Sequence, residues 1–140
     1  MKSWTFPRAA AFLFVCILFS FASRAADSSG WAGQYRNDKF LGGRAVFQLT
    51  IEQSGNAMQV SFDAAWVDGH GAAPDAEGPA TVSGNTLTFK FEDSFGNTGT
   101  GTIRRVSNDI LVSITPTHVA EPRCLAFYGN NMRLKRVAKK

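Results

Sequence analysis

The sequence predicts an all-β protein: a small antiparallel up-and-down meander of about eight strands, closed or nearly closed into a barrel, with a β-sandwich as the alternative. Three observations carry this. Beyond the N-terminal segment, apolar and polar residues alternate with period two and show no helical period. The triplet Ser-Gly-Asn stands twice between such runs, at 54–56 and 83–85, where a tight hairpin needs it. The registers those turns impose set apolar side chains opposite one another on a single face. With 140 residues the chain has room for one domain, and 44% hydrophobic against 19% charged residues excludes a disordered, collagen-like or coiled-coil protein.

A first strand is expected near Gly33–Arg36. Next, Phe47, Leu49 and Ile51 alternate with Gln48, Thr50 and Glu52, and after Ser54-Gly55-Asn56 come Met58, Val60, Phe62, Ala64 and Trp66. A two-residue Gly55-Asn56 turn pairs Ile51 with Val60, Leu49 with Phe62 and Phe47 with Ala64. The Gly84-Asn85 turn pairs Val82 with Leu87, and a loop from Asp93 to Asn97 then pairs Phe91 with Gly99, Phe89 with Gly101 and Leu87 with Ile103. Phenylalanines thus lie across strand glycines and fill the space glycine leaves. An Asn108-Asp109 turn pairs Ile103 with Ile114 but also Arg105 with Val112, which calls for a bulge near Val106. The last strand is expected from Cys124 through Leu134. Gly55 and Gly84 are expected at positive φ, whereas Gly71, in a long loop, carries no such demand.

Lys2 and Arg8 precede the uncharged run Ala9–Ala22, and Ser23-Arg24-Ala25 puts small residues at both cleavage-determining positions. That is the pattern of a secretory signal peptide over 1–25, cleaved near Ala25/Ala26, and the run is shorter than the ~20 residues a membrane-spanning helix needs. The domain organisation follows: signal peptide 1–25, flexible N-terminus 26–30, single β-barrel domain 31–136, basic C-terminal tail 137–140. The expected localisation is secreted or periplasmic, with no membrane span after cleavage. Charge then separates along the chain. From residue 26 onward there are 12 basic and 11 acidic groups, and five of the bases are Arg133, Lys135, Arg136, Lys139 and Lys140. The body from 26 to 132 is left with 7 basic and 11 acidic residues. It lacks the basic face with interleaved aromatics that nucleic acid requires, so no nucleic-acid partner is expected.

Gly33-Gln34-Tyr35 opens the first strand, and Arg133 or Arg136 stands near the end. In this the chain resembles the calycins (lipocalins, avidins and relatives), which open with Gly-x-Trp and often set a late Arg against that aromatic. The resemblance implies a secreted or periplasmic barrel with one open, loop-bearing mouth. The meander itself already puts the tight turns at one end and gathers Asn37–Gly43, Asp68–Gly78, Asp93–Asn97 and Thr115–Arg123 at the other, where sites on a rigid scaffold tend to lie.

Candidate residues concentrate there. Asp68, His70, Asp75 and Glu77 fall in one Gly/Ala/Pro-rich loop; Asp68, Asp75 and Glu77 are oxygen donors of the kind calcium takes, but their spacing fits no calcium-loop template, so neither a metal nor another cofactor is expected. Loop acids Asp38, Asp68, Asp75, Glu77, Asp93 and Glu121 outnumber Lys39 and Arg123, a negative rim that would steer a cationic partner. Trp31, Tyr35, Trp66, Phe95 and Tyr128 are candidates to line a ligand cup or fill the core, with Trp66 and Phe95 nearest the loops. His118 and Cys124 form a conceivable nucleophile pair with no recognised signature around them. The expected function is therefore non-enzymatic binding of a basic protein partner through the acidic loop end, including Trp66, Phe95 and His118, as an inhibitor or immunity protein binds. The alternatives are a carrier of a small apolar ligand in the barrel and a hydrolase using His118/Cys124.

Overall fold

Two glycines at the first position of two-residue turns set the registers of half the sheet. Gly55 (φ 61°) and Gly84 (φ 60°) alone in their turns take positive φ, as a type II′ hairpin requires. In the computed structural model, which describes residues 30–139, eight antiparallel strands close into a barrel in simple sequence order. They are β1 (Gly33–Lys39), β2 (Ala45–Ser54), β3 (Ala57–Trp66), β4 (Asp75–Ser83), β5 (Thr86–Asp93), β6 (Thr98–Val106), β7 (Asp109–His118) and β8 (Met132–Arg136). The β2–β3, β4–β5 and β5–β6 pairings carry the expected registers, among them Leu49↔Phe62, Val82↔Leu87 and Phe89↔Gly101. A Cβ on Gly101 would lie 2.1 Å from the Phe89 ring, so the phenylalanine occupies the space of the missing side chain. The segment 1–25, expected from the sequence as a signal peptide, lies outside the described residues. Among those described, no helix is long and apolar enough to cross a membrane.

Four sequence expectations are corrected. The β6–β7 turn is Ser107-Asn108, not Asn108-Asp109, so Ile103 pairs with Val112 and Arg105 with Ile110. Ser107 takes φ 58° to make it. Moving the turn by one residue slides β7 two places along β6 without changing faces, so Ile110, Val112 and Ile114 point inward as in the expected register and Ile114 comes opposite Gly101. Arg105, whose inward register looked anomalous, lies at the barrel end with its guanidinium 4.3 Å from the centre of the Trp31 ring. The ladder irregularity falls at Thr98/Gly99 rather than near Val106. The segment from Cys124 is not strand: Pro122–Phe127 is a 3₁₀ turn, started by Pro122 and capped by Glu121, whose carboxylate accepts from Arg123 N–H at 3.0 Å. The last strand begins only at Met132. Lastly, Asp75 opens β4, so Asp75 and Glu77 stand on a strand rather than in a loop.

The interior is filled with side chains. Phe47, Leu49, Ile51, Phe89, Ile103, Ile110, Val112 and Leu134 are buried, each large one worth about 1.5–3 kcal/mol of burial. Tyr35 and Trp31 are fully buried at the tight-turn end. Of the two late arginines, Arg136 is the one against Tyr35: its guanidinium lies 4.9 Å from the ring centre and donates to the Tyr35 hydroxyl at 2.6 Å. It also donates to the carbonyls of Gly30 and Ala32. Arg133 instead donates two hydrogen bonds to Asp109, at 3.1 and 2.9 Å.

Candidate functional site

At the loop end the mouth is occupied by aromatic rings. Phe40, from the β1–β2 turn, stacks on Phe127 at 5.9 Å, and Trp66 meets Phe127 edge-on at 5.0 Å. Trp66 is tied down by an Nε1–H bond to the Ala72 carbonyl at 3.0 Å, with Gly71 folded against the indole. Tyr128 continues the stack inward to Phe91 and Phe62, at 5.4 and 6.1 Å. The five aromatic candidates therefore do not gather into a cup. Trp31 and Tyr35 close the opposite end, Trp66 and Tyr128 fill the mouth, and Phe95, 38% exposed, projects from the β5–β6 loop.

Beneath that loop lies a polar network. Asp93 ends β5 on an inward position and is 5% exposed. Its Oδ1 accepts from the Phe95 and Asn97 backbone N–H groups, both at 2.9 Å. Its Oδ2 accepts from the Asn97 side-chain amide at 2.7 Å and from the Tyr128 hydroxyl in a short hydrogen bond. Asn97, itself fully buried, turns its Oδ1 to the N–H groups of Ala120 and Glu121, both at 2.8 Å. One carboxylate and one amide thus lock the β5–β6 loop to the segment that leads into the 3₁₀ turn, and every strong acceptor is used. Burial, then the Asp93 hydrogen bond and charge, push the Tyr128 hydroxyl far above its ordinary range. Cys124, buried beside Asn97, has its thiol pushed up by burial, which favours the protonated form. His118 is exposed at the end of β7, and among the described residues nothing joins it to Cys124.

The acids divide into committed and free. Asp38 pairs with Arg36 and Glu121 with Arg123, and the Arg123 hydrogen bonds, from the guanidinium and then the backbone N–H, bring the partly buried Glu121 carboxyl down to about 2. Asp93 sits below the rim. Asp68 is exposed and accepts from the His70 N–H at 3.0 Å. Asp75 and Glu77 face outward from β4, and there they meet two acids the sequence reading passed over. Asp63 on β3 pairs directly with Asp75, and Glu92 on β5 pairs directly with Glu77. The four carboxylates line one groove of about 620 Å³ on the β3–β4–β5 wall, with Ser61 and Ser94 between them and no Lys or Arg in the lining. Glu77 takes one hydrogen bond, from the Gln59 side chain at 3.3 Å. Like charges directly opposed across a ladder oppose folding by roughly 0.2–1 kcal/mol per pair. Glu92 was findable, since running the Val82↔Leu87 register backwards already sets Glu77 opposite it; Asp63 needed the β3–β4 register, which no turn signal set.

Of the large exposed apolar side chains among the described residues, Val67 (66%), Phe95 (38%), Val119 (38%) and Leu125 (39%) stand at the loop end on three different connections, and Val137 (41%) lies beside β1. Phe95 follows Ser94 of the acidic groove, and the Asp93–Asn97 network fixes its loop. Among the described residues, no three His, Cys, Asp or Glu side chains converge as metal ligands would, Asp68, Asp75 and Glu77 included.

The fold and this surface define a closed eight-stranded antiparallel barrel with an acidic groove on its β3–β4–β5 wall and exposed apolar side chains at its loop end. In comparisons with protein-family models, curated proteins and solved structures, the chain matches none.

Proposed function

We propose that this is a secreted or periplasmic, non-enzymatic binding protein that engages a basic protein partner, in the manner of an inhibitor or immunity protein. The observation that carries the reading is the β3–β4–β5 groove, where four exposed carboxylates oppose one another in pairs with no base lining them. A fold gains nothing from such pairs, and a cationic partner inserted between them would relieve both. Phe95, beside the groove on a loop held by buried hydrogen bonds, supplies an apolar anchor at low ordering cost. The surface that meets the partner is thus the outer wall below the loops together with their tips, while Trp66 contributes by packing. The Arg136–Tyr35 contact supports the resemblance to calycins, and that kinship belongs to the same proposal.

The test is capture of a basic protein from an envelope extract, followed by kinetics with Asp63→Asn, Glu77→Gln and Glu92→Gln combined. Association should slow roughly ten-fold or more at low salt and much less at high salt, where the Debye length falls from about 10 Å at 0.1 M to about 3 Å at 1 M. Phe95→Ala should instead speed dissociation at every salt concentration. A captured partner that binds both variants like the parent refutes the reading.

A further inference from the structure

The wall opposite the acidic groove has the reverse charge. In a ring of eight strands, β8 and β1 lie half-way round from β4 and β5. Along their seam runs a groove of about 690 Å³ lined by Arg36, Lys39, Arg133, Lys135 and Arg136, with Asp38 as its one acid. The chain does not leave this wall at the end of β8: Val137 N–H donates to the Gln34 carbonyl at 2.8 Å, so Ala138 and Lys139 continue beside β1 and line a second groove with Arg136.

The bases there differ in what they are free to do. Arg36 is paired with Asp38, Arg133 with Asp109, and Arg136 is spent on Tyr35, Gly30 and Ala32. Lys39, Lys135 and Lys139 have no carboxylate within ion-pair distance among the described residues. Lysines are point charges without the arginine fork, suited to a field of anions rather than to one shaped ligand. Val137, 41% exposed, and Ala138 stand between Arg136 and Lys139, which adds an apolar insert to the basic strip. No aromatic ring lines either groove, so nothing offers a base a stacking surface.

We infer that the β8–β1 wall and the C-terminal tail dock on a bilayer surface rich in anionic phospholipid, leaving the acidic β3–β5 wall facing away from it. Repulsion of that acidic wall by the same surface fixes the orientation, and the inference does not depend on the partner reading. Each lysine near an anionic bilayer strengthens partition about five-fold, so three together contribute about 100-fold at low salt.

The experiment measures co-sedimentation of the exported protein with vesicles of phosphatidylglycerol and phosphatidylcholine, and with phosphatidylcholine alone. Binding should require phosphatidylglycerol and fade as salt rises. Combined Lys39→Gln, Lys135→Gln and Lys139→Gln should weaken it about 100-fold with an unchanged melting temperature, since none of these side chains supports the barrel. The acidic-wall variant should bind the vesicles at least as well as the parent, which separates this inference from the partner proposal. Equal binding to both vesicle types, or a lysine variant that binds like the parent, overturns it. So does loss of vesicle binding to competing inorganic phosphate at unchanged ionic strength, because that outcome indicates a discrete anion site.

Discussion

The two ends of the barrel are both shut, but by opposite chemistry. At the tight-turn end the closure is cationic: Arg105 lies over Trp31, and Arg136 lies over Tyr35 while gathering the carbonyls of Gly30 and Ala32. At the loop end it is anionic: the buried Asp93 carboxylate collects four donors from the β5–β6 loop and Tyr128, and Phe40, Trp66 and Phe127 plug the mouth. Guanidinium groups at a barrel end keep one side in water and are always charged, so that closure is tolerant. A buried carboxylate has no water to fall back on, and its donors have no other acceptor. The end with the long loops is therefore the one held by the less forgiving interaction, which is what a loop surface needs if it is to meet a partner without first being ordered.

The largest effect should come from breaking the anionic closure. Asp93→Ala leaves two backbone N–H groups, the Asn97 amide and the Tyr128 hydroxyl without their acceptor, and should cost about 3–5 kcal/mol in urea unfolding. Arg136→Lys keeps the charge but not the fork that reaches three oxygens, and should cost less, about 1–3 kcal/mol, because this end is partly hydrated. The reverse ranking would mean that the tight-turn end, not the loop end, carries the critical polar closure.

Much of this was legible beforehand, and the failures share a cause. Alternation and Gly-Asn turns specify β2 through β6 because a one-residue slip there would turn Leu49, Phe62 or Phe89 to solvent. Ser107-Asn108 was missed because Asn-Asp is the better local turn former and both registers keep Ile110, Val112 and Ile114 inward, so the face pattern does not choose between them. The 3₁₀ turn was missed because Cys124, Leu125 and Phe127 read as a strand run, although Pro122 two places before Cys124 was a signal against it. Asp93 read as a rim acid because sequence shows its type and not that Tyr128, 35 residues on, folds over it. The Glu77–Glu92 half of the acidic groove needed only one register extended by five residues; taking Asp75–Gly78 as loop stopped that extension and left β3–β4, which sets Asp63 opposite Asp75, without a register.

A pair of glycines, one at each end, sharpens the comparison at intermediate size. Gly84, in a tight turn, has φ 60° and nothing within 4 Å of an added Cβ, so Gly84→Val should cost about 1–2 kcal/mol through backbone strain alone. Gly71 reads from sequence as a tolerant loop position, and the structure corrects that: it has φ 105°, and an added Cβ would stand 2.8 Å from Trp66 Nε1. Gly71→Val should therefore cost at least as much, and it should also shift the fluorescence of Trp66 by disturbing the plug. Equal melting temperatures for Gly71→Val and the parent would count against a mouth closed in this way.

The smallest effect, and the most specific, belongs to Tyr128→Phe. At neutral pH it removes one donor from Asp93 but leaves the Asn97 amide and both backbone N–H groups in place, so the loss should be about 1 kcal/mol. Alkaline pH should narrow that gap. In the folded chain burial and the Asp93 carboxylate raise the Tyr128 pKa, whereas in the unfolded chain a tyrosine ionises near its ordinary value of about 10. A group whose folded pKa is raised contributes stability that is present below the unfolded pKa and is lost as pH climbs beyond it. The parent should thus lose stability from about pH 10 upward with contributions from both Tyr128 and Tyr35, whose pKa burial also raises. The variant keeps only the Tyr35 contribution, each tyrosine adding at most about 1.4 kcal/mol per pH unit to the slope. Urea midpoints taken from about pH 8 to pH 11 should converge and then cross as the parent's advantage disappears. Parallel curves over that range would mean that Tyr128 ionises alike in both states, and the buried hydroxyl–carboxylate contact that holds the loop end together would have to be abandoned.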